Sequence, residues 1–151
     1  MAFAHTNFDN EVLHLDLKPQ NIFLKSEDQI KLGDFGACMD IGMEKKYLME
    51  ESDGKMKSSH YMAPELYKDP PQASSKCDIW SLGCIMYELI ALKGPFEDSS
   101  YATLAQKICE EKPLPLPECV NEKLKDLIWH MIDKDPSKRP SALEILQIIE
   151  E

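Results

Sequence analysis

His14-Leu15-Asp16-Leu17-Lys18-Pro19-Gln20-Asn21, followed one short hairpin later by Asp34-Phe35-Gly36, is the stretch that decides the reading of this 151-residue chain. Between the two lie Asn21-Ile22-Phe23-Leu24-Lys25, a polar cluster Ser26-Glu27-Asp28, and Gln29-Ile30-Lys31-Leu32-Gly33. Two short apolar runs around a polar turn predict an antiparallel pair of strands. Such a pair returns the chain to the level it left, so Asn21 at the entrance and Asp34 at the exit become neighbours in space. An acid, a lysine and two oxygen donors for a hard cation are thereby gathered within a few turns of chain.

That grouping has a definite chemistry. A hydroxyl attacking phosphorus must shed its proton, which gives Asp16 the role of general base or hydroxyl-orienting carboxylate. Lys18 can neutralise charge developing on the transferred phosphoryl oxygens. Asn21 and Asp34 supply oxygen ligands suited to Mg²⁺.

Outward from this stretch, the chain changes character. From Cys38 to Ser59 it is polar, with Gly42, Gly54 and the acidic run Glu50-Glu51-Ser52-Asp53, and is expected to be an irregular, mobile loop of functional use. Ser75-x-x-Asp78 has the spacing of a capping box ahead of Ile79, Leu82, Ile85, Met86, Leu89 and Ile90, predicting a helix that Gly94-Pro95 ends. Apolar residues surround much of it, which places it centrally. A second helix is expected over Tyr101 to Cys109, before Pro113, Pro115 and Pro117. Asn121 caps a third, with a stripe of Leu124, Leu127, Ile128, Met131 and Ile132. Ser141-x-x-Glu144, just after Pro140, opens a fourth that runs to the C-terminus. Trp80 and Trp129 fall on helices and are expected in the core.

Composition narrows the classes further. With 17 basic against 27 acidic side chains, a net charge of −10, the chain is not expected to bind nucleic acid or an anionic membrane. Its longest apolar stretch, Ile79 to Leu92, is broken by Ser81, Gly83 and Glu88 and is too short to cross a bilayer. The five cysteines form no Cys-x-x-Cys pair and are odd in number, which predicts neither a disulfide framework nor a zinc site and fits a reducing, cytoplasmic setting. No signal peptide is expected from Met1-Ala2-Phe3-Ala4-His5-Thr6.

Three further motifs follow in order: Tyr61-Met62-Ala63-Pro64-Glu65, Asp78-Ile79-Trp80-Ser81-Leu82-Gly83 and Asp135-Pro136-x-x-Arg139-Pro140. With these, residues 14 to 149 resemble the C-terminal lobe of eukaryotic protein kinases. Asp16-Leu17-Lys18-Pro19 is similar to the serine/threonine branch. Pro19-Gln20-Asn21-Ile22-Phe23-Leu24 and Ser81-Leu82-Gly83-Cys84-Ile85-Met86-Tyr87-Glu88-Leu89 are similar to the NIMA-related kinases. The resemblance implies a mainly α fold, a helical bundle with a small β-hairpin by the catalytic loop. It assigns 14–21 to that loop and 34–65 to the activation segment of a partial kinase domain spanning 1–151. It also implies ATP and Mg²⁺ as cofactors, through Lys18, Asn21 and Asp34, and a protein substrate or protein partner. His14, Phe35 and Gly36 take structural places beside the site. Glu65 pairs with Arg139, Asp78 caps the backbone of the catalytic loop, and Ser58 keeps the hydroxyl of a family threonine that contacts base and lysine.

The sequence also departs from the family. Leu15 stands where regulated kinases carry the arginine that grips an activation-segment phosphate, and leucine cannot make that contact. Lys57 occupies a glycine position, raising the prospect of a left-handed backbone there. Only thirteen residues precede His14, and the six glycines include no Gly-x-Gly-x-x-Gly. A strand lysine motif is likewise absent, so the ATP clamp formed by a kinase N-terminal lobe is not encoded within the 151 residues. Ala2-Phe3-Ala4-His5 resembles the final turn of the helix before the catalytic loop, and the loss of most of that helix is expected to leave apolar surface open on the central helix. Two readings follow. One is a serine/threonine kinase domain that needs an N-terminal lobe to transfer phosphoryl groups. The other is a catalytically inactive, pseudokinase-like interaction module.

Overall fold

The computed structural model describes residues 12–27, 29–40 and 56–150. Four α-helices form the body of the described residues: α1 (Ser75–Ala91), α2 (Tyr101–Glu110), α3 (Glu122–Met131) and α4 (Ala142–Glu150). Four short strands precede them: β1 (Val12–Leu13), β2 (Ile22–Ser26), β3 (Gln29–Leu32) and β4 (Met39–Asp40). The mainly α class with a small antiparallel hairpin is thus the observed one.

β2 and β3 form the expected hairpin, with Ile22 opposite Leu32, Phe23 opposite Lys31 and Leu24 opposite Ile30, before the register slips toward Ser26 and Gln29. β1 pairs with β4, Val12 opposite Asp40 and Leu13 opposite Met39. Met39–Asp40 is therefore extended and paired, where the polar sequence predicts irregular chain from Cys38 onward. Partners 26 and 28 residues away decide this, and local composition does not carry it. Residues 56–59 of that expected loop fall in a 3-10 turn, Met56–Tyr61, while 41–55 lie outside the described residues, as do the expected turn over Ala2–His5 and the question of the loop's mobility.

The interior is organised around α1. Trp80, Cys84 and Tyr87 on one side of it join Phe96, Leu104, Ile108 and Ile128 in the larger core cluster. Ile79 on another side meets Leu127, Met131, Ala142 and Ile145. Two faces of one helix are thus buried, as its near-continuous apolar sequence requires. Trp129 packs at the edge of the first cluster, partly buried, its ring 6.0 Å from that of Tyr87. At Gly83 a Cβ would lie 2.7 Å from the Ile132 side chain and 2.8 Å from that of Met131, so α1 and α3 approach more closely than alanine allows. Leu89 and Leu92, at the far end of α1, stand 71% and 88% exposed.

Helix ends follow the sequence unevenly. At α4 the capping box is reciprocal: the Ser141 amide donates to Glu144 Oε2 at 2.6 Å, and the Glu144 amide donates to Ser141 Oγ at 3.2 Å. Asn121 Oδ1 accepts the Lys123 amide at 2.9 Å and caps α3. The expected box at Ser75-x-x-Asp78 does not form. Ser74 is the N-cap and makes no side-chain cap bond, while the Asp78 carboxylate is engaged elsewhere. α1 also stops at Ala91, ahead of Gly94, because Leu92 turns left-handed with φ 56° and its amide donates to Glu88 O. α2 extends one residue beyond expectation, to Glu110.

All five cysteines are free. Burial pushes the Cys77 and Cys84 thiols up to about 12, keeping both protonated and inert in the core. Among the described residues no helix is long and apolar enough to cross a membrane.

Candidate active site

The site begins with a carboxylate buried on the central helix. Asp78 is fully buried, and its Oδ2 and Oδ1 accept the amides of His14 at 2.9 Å and Leu15 at 2.8 Å. Two successive amides can converge on one carboxylate only where the backbone turns sharply. Leu15 supplies the turn, with φ 59°. A leucine held there costs about 1–3 kcal/mol, which the surrounding structure must over-determine. Two charge-assisted bonds to Asp78 do so, together with Leu15 packing on the larger core cluster. The residue that replaces a phosphate-gripping arginine is thus a packing residue.

The loop so anchored presents its polar side chains together. Lys18 Nζ donates to Asp16 Oδ2 at 2.6 Å, each side chain 18% exposed. Asn21 is buried, and its Nδ2 donates to Asp16 O at 2.8 Å and to Asp16 Oδ2 at 3.2 Å. Since both acceptors lie on one side of the amide, its orientation is set and Oδ1 faces the other way. Asp16, Lys18 and Asn21 therefore form one cluster centred on a single carboxylate.

Asp34 reaches this neighbourhood through the hairpin. The Gly33 amide donates to Asn21 O at 2.9 Å, closing the strand pair one residue before Asp34. His14 lies beneath, buried, with Nε2 3.1 Å from Gly33 O and its ring centroid 5.0 Å from that of Phe35. Asp34 adopts φ 56°, ψ 69°, and its exposed carboxylate meets the Gly36 amide only at 3.4 Å. A turned-out Asn21 Oδ1 and a lightly engaged Asp34 carboxylate fit a hard divalent cation, which takes oxygen donors. Among the described residues no three His, Cys, Asp or Glu side chains converge on a metal position, so these two would share the ion with water or a ligand's oxygens.

Behind the site the second ion pair is sealed. Arg139 Nη1 and Nη2 donate to Glu65 Oε1 and Oε2 at 2.7 and 2.8 Å, with both side chains essentially without solvent access. The guanidinium also donates through Nε to Asp133 O and through Nη1 to Lys76 O, both at 2.8 Å, and lies 4.9 Å from the Trp80 ring centroid. Ser58 lies in the 3-10 turn Met56–Tyr61, but its hydroxyl falls outside the described side chains. Lys57 shares that turn and is not among the non-glycine residues with positive φ, so its position needs no glycine.

Sequence reading does not find every group here. Tyr61 Oη donates to Glu88 Oε2 at 2.5 Å, and Ser81 Oγ donates to Tyr61 O at 2.7 Å. Burial and the Glu88 carboxylate raise the Tyr61 phenol well above its ordinary range. These links fasten Tyr61 to α1 across 20 to 27 residues, and no local motif marks them.

A family model for the protein kinase domain matches residues 1–148. The chain belongs to the protein kinase domain family. It is 40% identical over 135 residues to Serine/threonine-protein kinase Nek3 of Mus musculus, covering 89% of this chain and 25% of that protein. Similarity to Serine/threonine-protein kinase Nek3 of Oryza sativa subsp. japonica is also 40%, over 138 residues, covering 91% and 23%. To Serine/threonine-protein kinase Nek5 of Mus musculus it is 36% over 140 residues, covering 92% and 22%. The chain thus spans about a quarter of the length of these curated relatives.

Proposed function

We propose that this kinase-domain chain carries the catalytic loop of a serine/threonine protein kinase, which transfers the γ-phosphoryl group of ATP to protein hydroxyls once an N-terminal lobe completes the ATP clamp. The observation that carries the reading is the cluster of Asp16, Lys18 and Asn21 hung from Asp78. In it, Asp16 orients the incoming hydroxyl and accepts its proton. Lys18, already within hydrogen-bond reach of that carboxylate, offsets negative charge on the transferred group. Asn21 and Asp34 would hold Mg²⁺, which when bound screens the phosphate charge. Protein substrates and a reducing, cytoplasmic setting belong to the same proposal.

A second reading has its own support. Phe23, Leu24, Ile30 and Phe35 are all more than half exposed around the hairpin, and the 151 residues contain no glycine-rich loop or strand lysine. Alone, then, the chain is an interaction module. Positioning supplies most of phosphoryl-transfer catalysis, so residues 1–151 by themselves are expected to show no measurable turnover.

A radiolabel transfer assay and a thermal melt with Mg-ATP test this directly. Saturation at 100 times Kd would add about 2.7 kcal/mol, whereas the isolated chain should show weak stabilisation or none. Robust transfer by the isolated chain that is lost in Asp16→Asn would overturn the need for a second lobe.

A further inference from the structure

We infer that the groove between α3 and α4 is a docking site for an acidic peptide segment of a partner protein. The groove encloses about 730 Å³, within the size range of ligand-binding clefts. Lys123, Asp126, Leu127 and His130 line it from α3, and Glu144, Gln147 and Ile148 from α4, with Lys76 and residues 137–140 closing one end. Along α3 the lining runs seven residues, or about 10 Å, which matches three residues of extended peptide and exceeds what a single small anion would span.

Charge identifies the occupant. The chain as a whole is at −10, yet this concavity collects Lys76, Lys123 and Lys138. Lys123 and Lys138 are exposed and form no salt bridge among the described residues; Lys138 is felt only as a minor charge at Asp135, whose carboxylate already accepts from Ser137. Lys76 is held across the end of the groove, donating to Arg139 O at 2.5 Å. Two acids share the lining. Glu144 accepts from the Ser141 amide, a bond that holds its carboxyl below the usual range and keeps it charged, and Asp126 is the other lining carboxylate, so the three lysines outnumber the acids of the lining by one. The Arg139 guanidinium is neutralised by Glu65 beneath.

Leu127, Ile148 and Pro140 add apolar lining, so a ligand combining carboxylates with an apolar side chain fits better than a bare anion. An anionic membrane is disfavoured, since a chain at −10 is repelled by such a surface and a concave groove does not meet a plane. An occupant would lie beside the buried Arg139, whose guanidinium holds Glu65.

The test is fluorescence anisotropy of the 151-residue chain with a labelled peptide of sequence Glu-Asp-Leu-Glu-Glu-Phe, beside its Gln/Asn analogue and phosphatidylserine vesicles. The acidic peptide should bind, the neutral analogue should bind at least about tenfold more weakly, and the doubly substituted Lys123→Glu, Lys138→Glu chain should lose at least about tenfold, or 1.4 kcal/mol. Raising salt should weaken binding in the wild type and leave the residual binding of the double variant nearly flat. Both lysines are exposed, and an unchanged melting temperature of the variant confirms its fold. Equal binding of the two peptides, undiminished binding by the double variant, binding to vesicles alone, or no binding of the acidic peptide up to about 1 mM would each overturn the inference.

Discussion

Two ion pairs of nearly equal length divide the molecule. Asp16–Lys18 closes at 2.6 Å and Glu65–Arg139 at 2.7 Å, yet the first pair is 18% exposed on each side chain and the second is at most 1%. The first joins residues two apart in an extended loop; the second joins residues 74 apart and is saturated by two further carbonyls. Contact distance therefore says little about purpose. A charge pair that water and substrate can reach is arranged for exchange of partners, while one without solvent access holds elements together and becomes costly only when half of it is removed.

The sharpest way to break the contrast is to strand one charge. Arg139→Met leaves Glu65 buried with only the Cys77 thiol, 3.2 Å away, as a remaining neighbour, and should cost about 3–5 kcal/mol in urea unfolding. The equivalent change at the open pair, Lys18→Met, should cost only about 0–1 kcal/mol. Similar losses at both sites would erase the distinction.

Asp78 lies between the two regimes, buried like the Glu65–Arg139 pair but bonded to the loop that carries Asp16 and Lys18. Asp78→Asn keeps a single acceptor for two amides, and about 2–3 kcal/mol of stability should be lost. Hydrogen exchange should rise selectively at the His14 and Leu15 amides. Uniform destabilisation with those amides still protected would place Asp78 with the purely structural set.

A smaller effect concerns pH. Burial lowers Lys134 to about 8, opposed by the thiols of Cys109 and Cys84, while its ammonium sits 3.9 Å from the Phe96 ring centroid and donates to Ile108 O. Between pH 8 and 10.5 the unfolded chain keeps a proton on Lys134 that the folded chain has released. The unfolded state binds more protons there, so this group's contribution to stability rises with pH across that window. Relative to Lys134→Met, wild-type stability should therefore improve from pH 8 to pH 10. A difference that stays flat, or falls, would show that the stacked ammonium remains charged.

The sequence made the hairpin legible because the apolar runs Ile22–Leu24 and Ile30–Leu32 and the turn between them are all local. For the same reason Ser141 and Glu144 could be read as a cap. The box at Ser75 and Asp78 failed although its spacing was equally good, since a residue 64 positions away claimed the carboxylate. The pairing of β4 with β1, the left-handed Leu92 and the grip of Glu88 on Tyr61 likewise depend on partners that spacing does not reveal. In the site itself, residue types announced the chemistry, but the orientation of the Asn21 amide and the left-handed Leu15 emerged only from the packed chain.

The most direct test of the open pair's role joins residues 12–151 to the N-terminal lobe of mouse Serine/threonine-protein kinase Nek3 and measures transfer of label from γ-labelled ATP to a protein substrate. Asp16→Asn should lower the rate by about 10²–10⁴-fold while leaving the unfolding free energy within about 1 kcal/mol of the parent. A folded, Mg-ATP-binding chimera that transfers nothing, or one whose rate survives Asp16→Asn, would contradict the account.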